Sequence, residues 1–262
     1  MKIGKSRETI LKVRQIAKVL PVLLTMSRRS IGSYGGRFRL IDLNAACGQY
    51  EVNGELLDGS ALIMAKFANE LNLPVEVTLV ERDPTLCAEL VRHMESRNYR
   101  LKWEVLCGDN RVLGPEVCAR GSSRDRGLVL FDPNGPDNQE SGSMFTLATT
   151  LSRLPAMRGV DFLLHIPTST IKLMHLAGKK INKGSWATRD TRLLLERLLD
   201  INKKHWMARE PYGQLNWTFM FMANYRWRNG WAKEGFYWTD TPEGQDLLMR
   251  LSRIGQSDRE AA

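Results

Sequence analysis

An open α/β fold, with a mostly parallel central sheet and helices on both of its faces, is what this sequence predicts. Three observations predict it. Short apolar runs at residues 38–43, 75–80, 103–106, 127–131 and 160–166 alternate with longer segments of helical period. The runs are continuous rather than alternating, VEVTLV at 75–80 above all, as in parallel strands buried on both sides. Four successive runs end on polar groups: Asp42, Glu81, Asp109 with Asn110, and Asp132. In a parallel sheet such ends lie along one edge, over the crevice where these folds take their ligands.

Taken in order, residues 1–30 read as a helix. Ile3, Ile10, Val13, Ile16, Ala17 and Leu20 fall near one stripe, with Lys5, Arg7, Lys12, Arg14 and Lys18 between them, and Ser6 is placed to cap the start. It is either a helix docked over the sheet or a basic helix facing substrate. Arg28, Arg29, Ser30, Gly32, Ser33, Gly35 and Gly36 read as a flexible basic linker. The first strand ends at a loop of small residues, Asn44-Ala45-Ala46-Cys47-Gly48, through which a ligand can approach the backbone closely. After a Gly-rich excursion comes a helix over 61–73, stopped by Pro74. The second strand leads to Glu81-Arg82-Asp83-Pro84, and Pro84 suits the first turn of a helix over 85–96. A short helix is expected over 111–118, then the fourth strand and Asp132-Pro133-Asn134-Gly135, a helix over 145–154, and the fifth strand, closed by Pro167. Residues 168–186 are basic and irregular; a helix over 188–202, a late strand over 215–224 and a last helix over 241–253 complete the chain. The organisation is then an N-terminal helix and linker (1–36), one α/β domain (37–225) with a basic substrate-side insertion (168–205), and an aromatic, basic extension (226–262).

The totals narrow the partners. With 262 residues and 43% hydrophobic content the chain can bury a substantial core. Its formal charge of +9 favours anionic partners, nucleic acid first. The four cysteines, Cys47, Cys87, Cys107 and Cys118, show no CxxC pairing and no Cys/His metal spacing, so no metal is expected and a reducing, cytoplasmic setting is. No apolar run approaches the roughly 20 residues of a membrane span, and no membrane partner is expected.

Each strand tip suits a piece of a nucleoside-bearing ligand. Glu81 is placed to accept hydrogen bonds from two vicinal ribose hydroxyls, which a carboxylate does side by side. Asp109 and Asn110 suit the polar edge of an adenine. Asp42 and the loop through Asn44, Ala46 and Gly48 would face an amino-acid-like tail, and Asp132 with Asn134 would stand where the reactive end meets its acceptor. The loop lacks GxGxxG, which argues against a dinucleotide. Lys172, Lys179, Lys180, Lys183, Lys203 and Lys204 are candidate phosphate contacts. Trp186, Trp206, Trp227, Trp231 and Trp238 add flat faces that either stack on bases or simply pack.

The strand tips, in this order, resemble those of class I S-adenosylmethionine-dependent methyltransferases. More narrowly, AACGQYEVNGELLDGSAL, LVERDP, GDN, LFDPNG and FLLHIP, over residues 38–225, resemble the bacterial and phage three-Cys-motif partner proteins. The resemblance implies a methyltransferase-like Rossmann fold that binds S-adenosyl-L-methionine at Asp42, Asn44, Ala46, Gly48, Glu81, Arg82, Asp109, Asn110 and Asp132. It implies methyl transfer, with nucleic acid the expected acceptor and a phage, mobile-element or defence setting. The alternative is a catalytically silent binding protein with a protein partner in such a system. Two departures stand out: Ala46 occupies a family glycine, and Asn134 replaces the aromatic that follows Asp-Pro. His165, where the family has Asn, is either a core histidine or a general base; Asp132, Asn134 and His165 are the candidate catalytic residues.

Overall fold

The computed structural model describes residues 7–52, 54–132, 138–167, 200–211, 217–226 and 231–253. Asn134, Lys172, Lys179, Lys180, Lys183, Trp186, Trp227 and most of the helix expected over 188–202 lie outside the described residues.

The centre is β1 (Phe38–Asp42), every residue of which is buried. Around it stand β4 (Val75–Glu81), β5 (Lys102–Cys107), β6 (Arg126–Phe131) and β7 (Val160–Pro167). These five strands are parallel, in the order β5-β4-β1-β6-β7. The sheet continues through β9 (Trp217–Ala223), antiparallel to β7, then β8 (His205–Arg209) and β10 (Phe236–Trp238). A separate hairpin, β2 (Gln49–Val52) and β3 (Glu55–Asp58), interrupts the loop after β1. The helices are α1 (Arg7–Tyr34), α2 (Ser60–Asn69), α3 (Pro84–Ser96), α4 (Asn110–Ala119), α5 (Asn138–Ser152) and α6 (Pro242–Arg253). The expected Rossmann-like class holds.

Successive strand residues face opposite sides of the sheet, so each strand feeds two apolar layers. Leu40, Val77 and Leu128 pack with Ile16, Leu20 and Leu23 of α1 and with Leu62 and Ala65 of α2. Ile41 and Val129 pack with Val117 of α4, Leu151 of α5 and Leu247 and Leu251 of α6. Each such leucine or isoleucine, fully buried, contributes about 1.5–3 kcal/mol.

Three sequence expectations need correction. The basic linker is helical up to Tyr34, because Ile31 reaches the core and is 6% exposed. The Gly-rich excursion is the β2–β3 hairpin. The C-terminal stretch is no appendage: β10 pairs with β8 inside the main sheet, and α6 seals one face. Among the described residues no helix is long and apolar enough to cross a membrane.

Candidate active site

The four strand tips meet at one edge. The register pairs Asp42 with Leu79 and Leu130, and Glu81 with Cys107. Beyond the strands, Leu43 N–H donates to the Leu130 carbonyl (3.1 Å), Ala45 N–H to that of Val80 (2.9 Å) and Gly108 N–H to that of Glu81 (2.9 Å), so the ladder is tied where the loops begin.

The loop after β1 takes its shape from two left-handed residues. Gly48 has φ +84°, and a Cβ there would stand 2.8 Å from Leu90 Cδ1 and 3.3 Å from the Leu62 Cγ. Ala46 has φ +50° and is completely buried. It adopts the glycine-like angle despite a methyl group, at a cost of order 1–2 kcal/mol. Gly59 N–H donates to the Gly48 carbonyl (2.6 Å) and closes the base of the hairpin. His93, on α3, holds the Cys47 carbonyl at 2.7 Å through Nδ1, which must carry the proton because a carbonyl only accepts.

Glu81 is the polar centre of this rim. Its Oε2 accepts the Ala46 N–H and its Oε1 the Asp83 N–H, both at 2.8 Å. Each oxygen keeps a second lone pair, and the side chain is only half-buried. Two backbone bonds therefore fix the carboxylate with acceptor capacity in reserve, which fits a ribose diol. Asp109 caps α4 through the Arg111 N–H (2.8 Å) and pairs with the Arg111 guanidinium. That guanidinium, with Arg82 nearby, draws its carboxyl down to about 2. Asn110 donates its side-chain amide to the Leu43 carbonyl (3.0 Å), bracing the β5 tip against β1.

Asp42 does not face the crevice as expected. It is 0% exposed, with Oδ2 accepting the Ser60 hydroxyl (2.6 Å) and Oδ1 the Asn44 N–H (3.0 Å). Burial pushes its carboxyl up to about 7 against the pull of those two donors; Asp132 and Glu81 add repulsion. Asp42 shapes the loop from beneath.

Further along the same edge, Asp132 follows β6 and His165 lies in β7. Lys12 Nζ, from α1, donates to Asp132 Oδ1 at 2.8 Å, and His165 Nδ1 stands 3.2 Å from the same oxygen. Burial works to raise the Asp132 carboxyl, yet Lys12 and His165 outweigh it and hold it below the usual carboxylate range. Burial drives the His165 imidazole down to about 4, so it is neutral at pH 7. The ring packs against Trp217 and Phe219, with centroids at 5.0 and 5.8 Å. Among the described residues its Nε2 is buried without a hydrogen-bond partner.

Lys203 and Lys204 are not at the site. β8 runs parallel to β7, so both lysines, just before it, lie at the sheet's opposite edge. Lys203 is 5% exposed, and its Nζ donates to the Met157 and Val160 carbonyls, each at 2.6 Å. It is a buried strut, not a phosphate contact. Trp206 and Trp231 are core residues, 2% and 3% exposed.

Sequence reading missed Lys12, Ser60 and His93 as parts of this edge. Lys12 had a signal: it stands at i, i+4, i+7 and i+11 spacing with Ile16, Val19 and Leu23, a charge on the core-facing stripe. His93 had none, since its partner is a backbone carbonyl 46 residues away.

No protein-family profile matches the chain, so the likeness to the three-Cys-motif partner proteins stands on the quoted motifs alone. No curated protein sequence matches it. Among solved structures it is similar to M. jannaschii TYW2 in complex with AdoMet, at 12% identity over 84% of this chain and 76% of that one, TM-score 0.46. It is similar to P. horikoshii TYW2 in complex with MeSAdo, at 13% identity over 84% of this chain and 63% of that one, TM-score 0.45. A third is the methyltransferase domain of bacterial CtHen1-CN, at 11% identity over 81% of this chain and 99% of that one, TM-score 0.46. At TM-scores below 0.5 these likenesses assign neither a reaction nor a ligand to this chain.

Proposed function

We propose that this chain is an S-adenosylmethionine-dependent methyltransferase acting on nucleic acid. The observation that carries the proposal is Glu81: a strand-tip carboxylate held by two backbone N–H groups, with lone pairs left over, beside a loop kept narrow by Ala46 and Gly48. That combination fits an adenosine ribose with a short tail lying along the loop. Asn44, Ala46 and Gly48 would offer backbone to the tail, Arg82, Asp109 and Asn110 would flank the adenine, and Asp132 would close the reactive end. S-adenosylmethionine, when bound, supplies a methyl group on a sulfonium sulfur. Displacement at that methyl needs alignment more than covalent help, and alignment is what a rigid row of strand tips provides.

Nucleic acid is proposed from the +9 charge and the lysine-rich stretch with Lys172, Lys179, Lys180 and Lys183. A phage or defence setting rests on the motif resemblance alone.

Calorimetry with S-adenosylmethionine tests the cofactor. Binding is expected in the wild type, weakened at least about tenfold by Glu81→Ala through loss of two charge-assisted hydrogen bonds. Absence of heat at millimolar concentration overturns the proposal. Label from methyl-tritiated cofactor should then appear in RNA or DNA.

A further inference from the structure

The N-terminal helix reads from sequence either as a docking element or as a basic helix facing substrate; it packs on the sheet and also brings Lys12 to Asp132. Its Nζ lies 2.8 Å from Asp132 Oδ1, where His165 Nδ1 also stands at 3.2 Å. All three side chains are nearly enclosed, at 17%, 14% and 12% exposure. An ammonium, a carboxylate and an imidazole in a row, away from bulk water, form a chain in which each group fixes the state of the next. Both of these contacts fall on the same oxygen of Asp132, Oδ1.

We propose that Lys12 is the positioning residue of the acceptor site: it pins Asp132 as an anion, and Asp132 in turn holds the proton of His165 on Nδ1, leaving Nε2 as the base that receives the acceptor's proton. This rests on the methyl-transfer reading above. The physical sequence is short. A carboxylate only accepts, so the nitrogen facing it must be the protonated one. In a neutral ring the other nitrogen then offers a lone pair, and Nε2 is buried without a partner among the described residues. During transfer the acceptor's lone pair would form the new bond to the methyl carbon, and the electron pair of the broken carbon–sulfur bond would stay on sulfur. The acceptor's proton would pass to Nε2. The resulting imidazolium would face the Asp132 carboxylate, which keeps its charge throughout.

Other charged and titratable groups act on this centre. Asp42 from β1 repels Asp132 from below. Burial pushes the Tyr50 phenol, on the hairpin, well up, and Asp132, Asp42 and Glu81 add to it, so it stays protonated. Lys12 is the cation that reaches Asp132 among the described residues. It also disfavours a positive charge on His165, so removing it has a defined sign.

The test is spectroscopic and needs no acceptor. Long-range proton–nitrogen correlation on the labelled full chain should show His165 neutral at pH 7 with the proton on Nδ1. Lys12→Met should raise the His165 titration midpoint by about one unit, on the order expected for removal of a like charge. Lys12→Arg, which keeps the cation, should restore it, and Asp132→Asn should release the tautomer. A proton on Nε2 in the wild type, or a midpoint unmoved in Lys12→Met, overturns the assignment whatever the cofactor does. Calorimetry on the same samples separates the two readings: a wild type that binds no S-adenosylmethionine sinks the methyl transfer and with it the task given to Nε2. Cofactor binding retained in Lys12→Met alongside a shifted midpoint supports the proposal.

Discussion

Asp42 bears a charge that its surroundings oppose. Wholly buried and close to two other carboxylates, its carboxyl is pushed up to about 7, while in the unfolded chain it titrates near 3.8. The sign follows from proton counts. Between those values the folded chain binds more protons than the unfolded one, so the stability this residue confers is full below the lower value and falls as pH rises through the higher. Asn fits the same partners, accepting from the Asn44 N–H and donating to Ser60 Oγ. Asp42→Asn is therefore expected to be more stable than the wild type at pH 8 by on the order of 4 kcal/mol, with the advantage fading towards pH 4. Denaturant titrations at the two pH values check this; a pH-independent difference refutes it. Asp42 also shows the reach of sequence at this scale. Its place at a strand end was legible from the apolar run before it. Its inward turn was not, because that depends on Ser60, 18 residues on.

At the scale of elements, the strands were legible where burial on both faces made them continuously apolar, as in β4 and β6. The segments that escaped notice obtain their order from partners. β8 is five residues, HWMAR, and β10 only three, FYW; neither has a pattern of its own, and each is a strand because a neighbour offers a free edge. Lys203 illustrates the same dependence. A lysine beside another lysine reads as a phosphate contact, but the turn into β8 buries Lys203 against two carbonyls and over the Phe162 ring at 4.4 Å. Burial drives its ammonium down to about 8, against the pull of Asp161 and Cys118, from about 10.5 in the unfolded chain. Between these values the unfolded chain binds the extra proton, so the contribution of Lys203 to stability rises with pH. The difference between wild type and Lys203→Met should grow by on the order of 2–3 kcal/mol from pH 8 to 10.5. Parallel unfolding curves at both pH values would contradict it.

Across the whole molecule the two edges of the sheet differ in kind. At the amino edge, charges compensate one another internally. Arg37 pairs with Glu76 (2.6 Å) and Asp125 (3.4 Å), Lys102 with Glu76 (2.8 Å), and buried Arg39 donates to the Val117 carbonyl (2.7 Å). At the carboxyl edge Glu81, Asp109 and Asp132 stand at the strand tips, with Lys12 against Asp132 and Arg111 against Asp109. Net positive charge therefore has to act from elsewhere on the surface. If the acceptor is nucleic acid, the logarithm of affinity should fall linearly with the logarithm of salt concentration, with a slope near −0.9 per phosphate contact on duplex DNA and −0.7 on single strands. Lys179→Ala with Lys180→Ala should flatten that slope by up to about two contacts. Filter binding from 50 to 300 mM salt reads this directly, and a slope near zero excludes a polyanion partner.

Local chemistry, then, was enough to specify the class of fold and the row of polar strand ends, because apolar continuity, helical period and small-residue loops act over a few residues. Which of those polar groups face outward, which brace the loop, and that a lysine near the N-terminus meets Asp132 across 120 residues were settled by packing alone. Burial and long-range pairing set the charge and direction of a side chain, and neither is a property of the residues next to it in the chain.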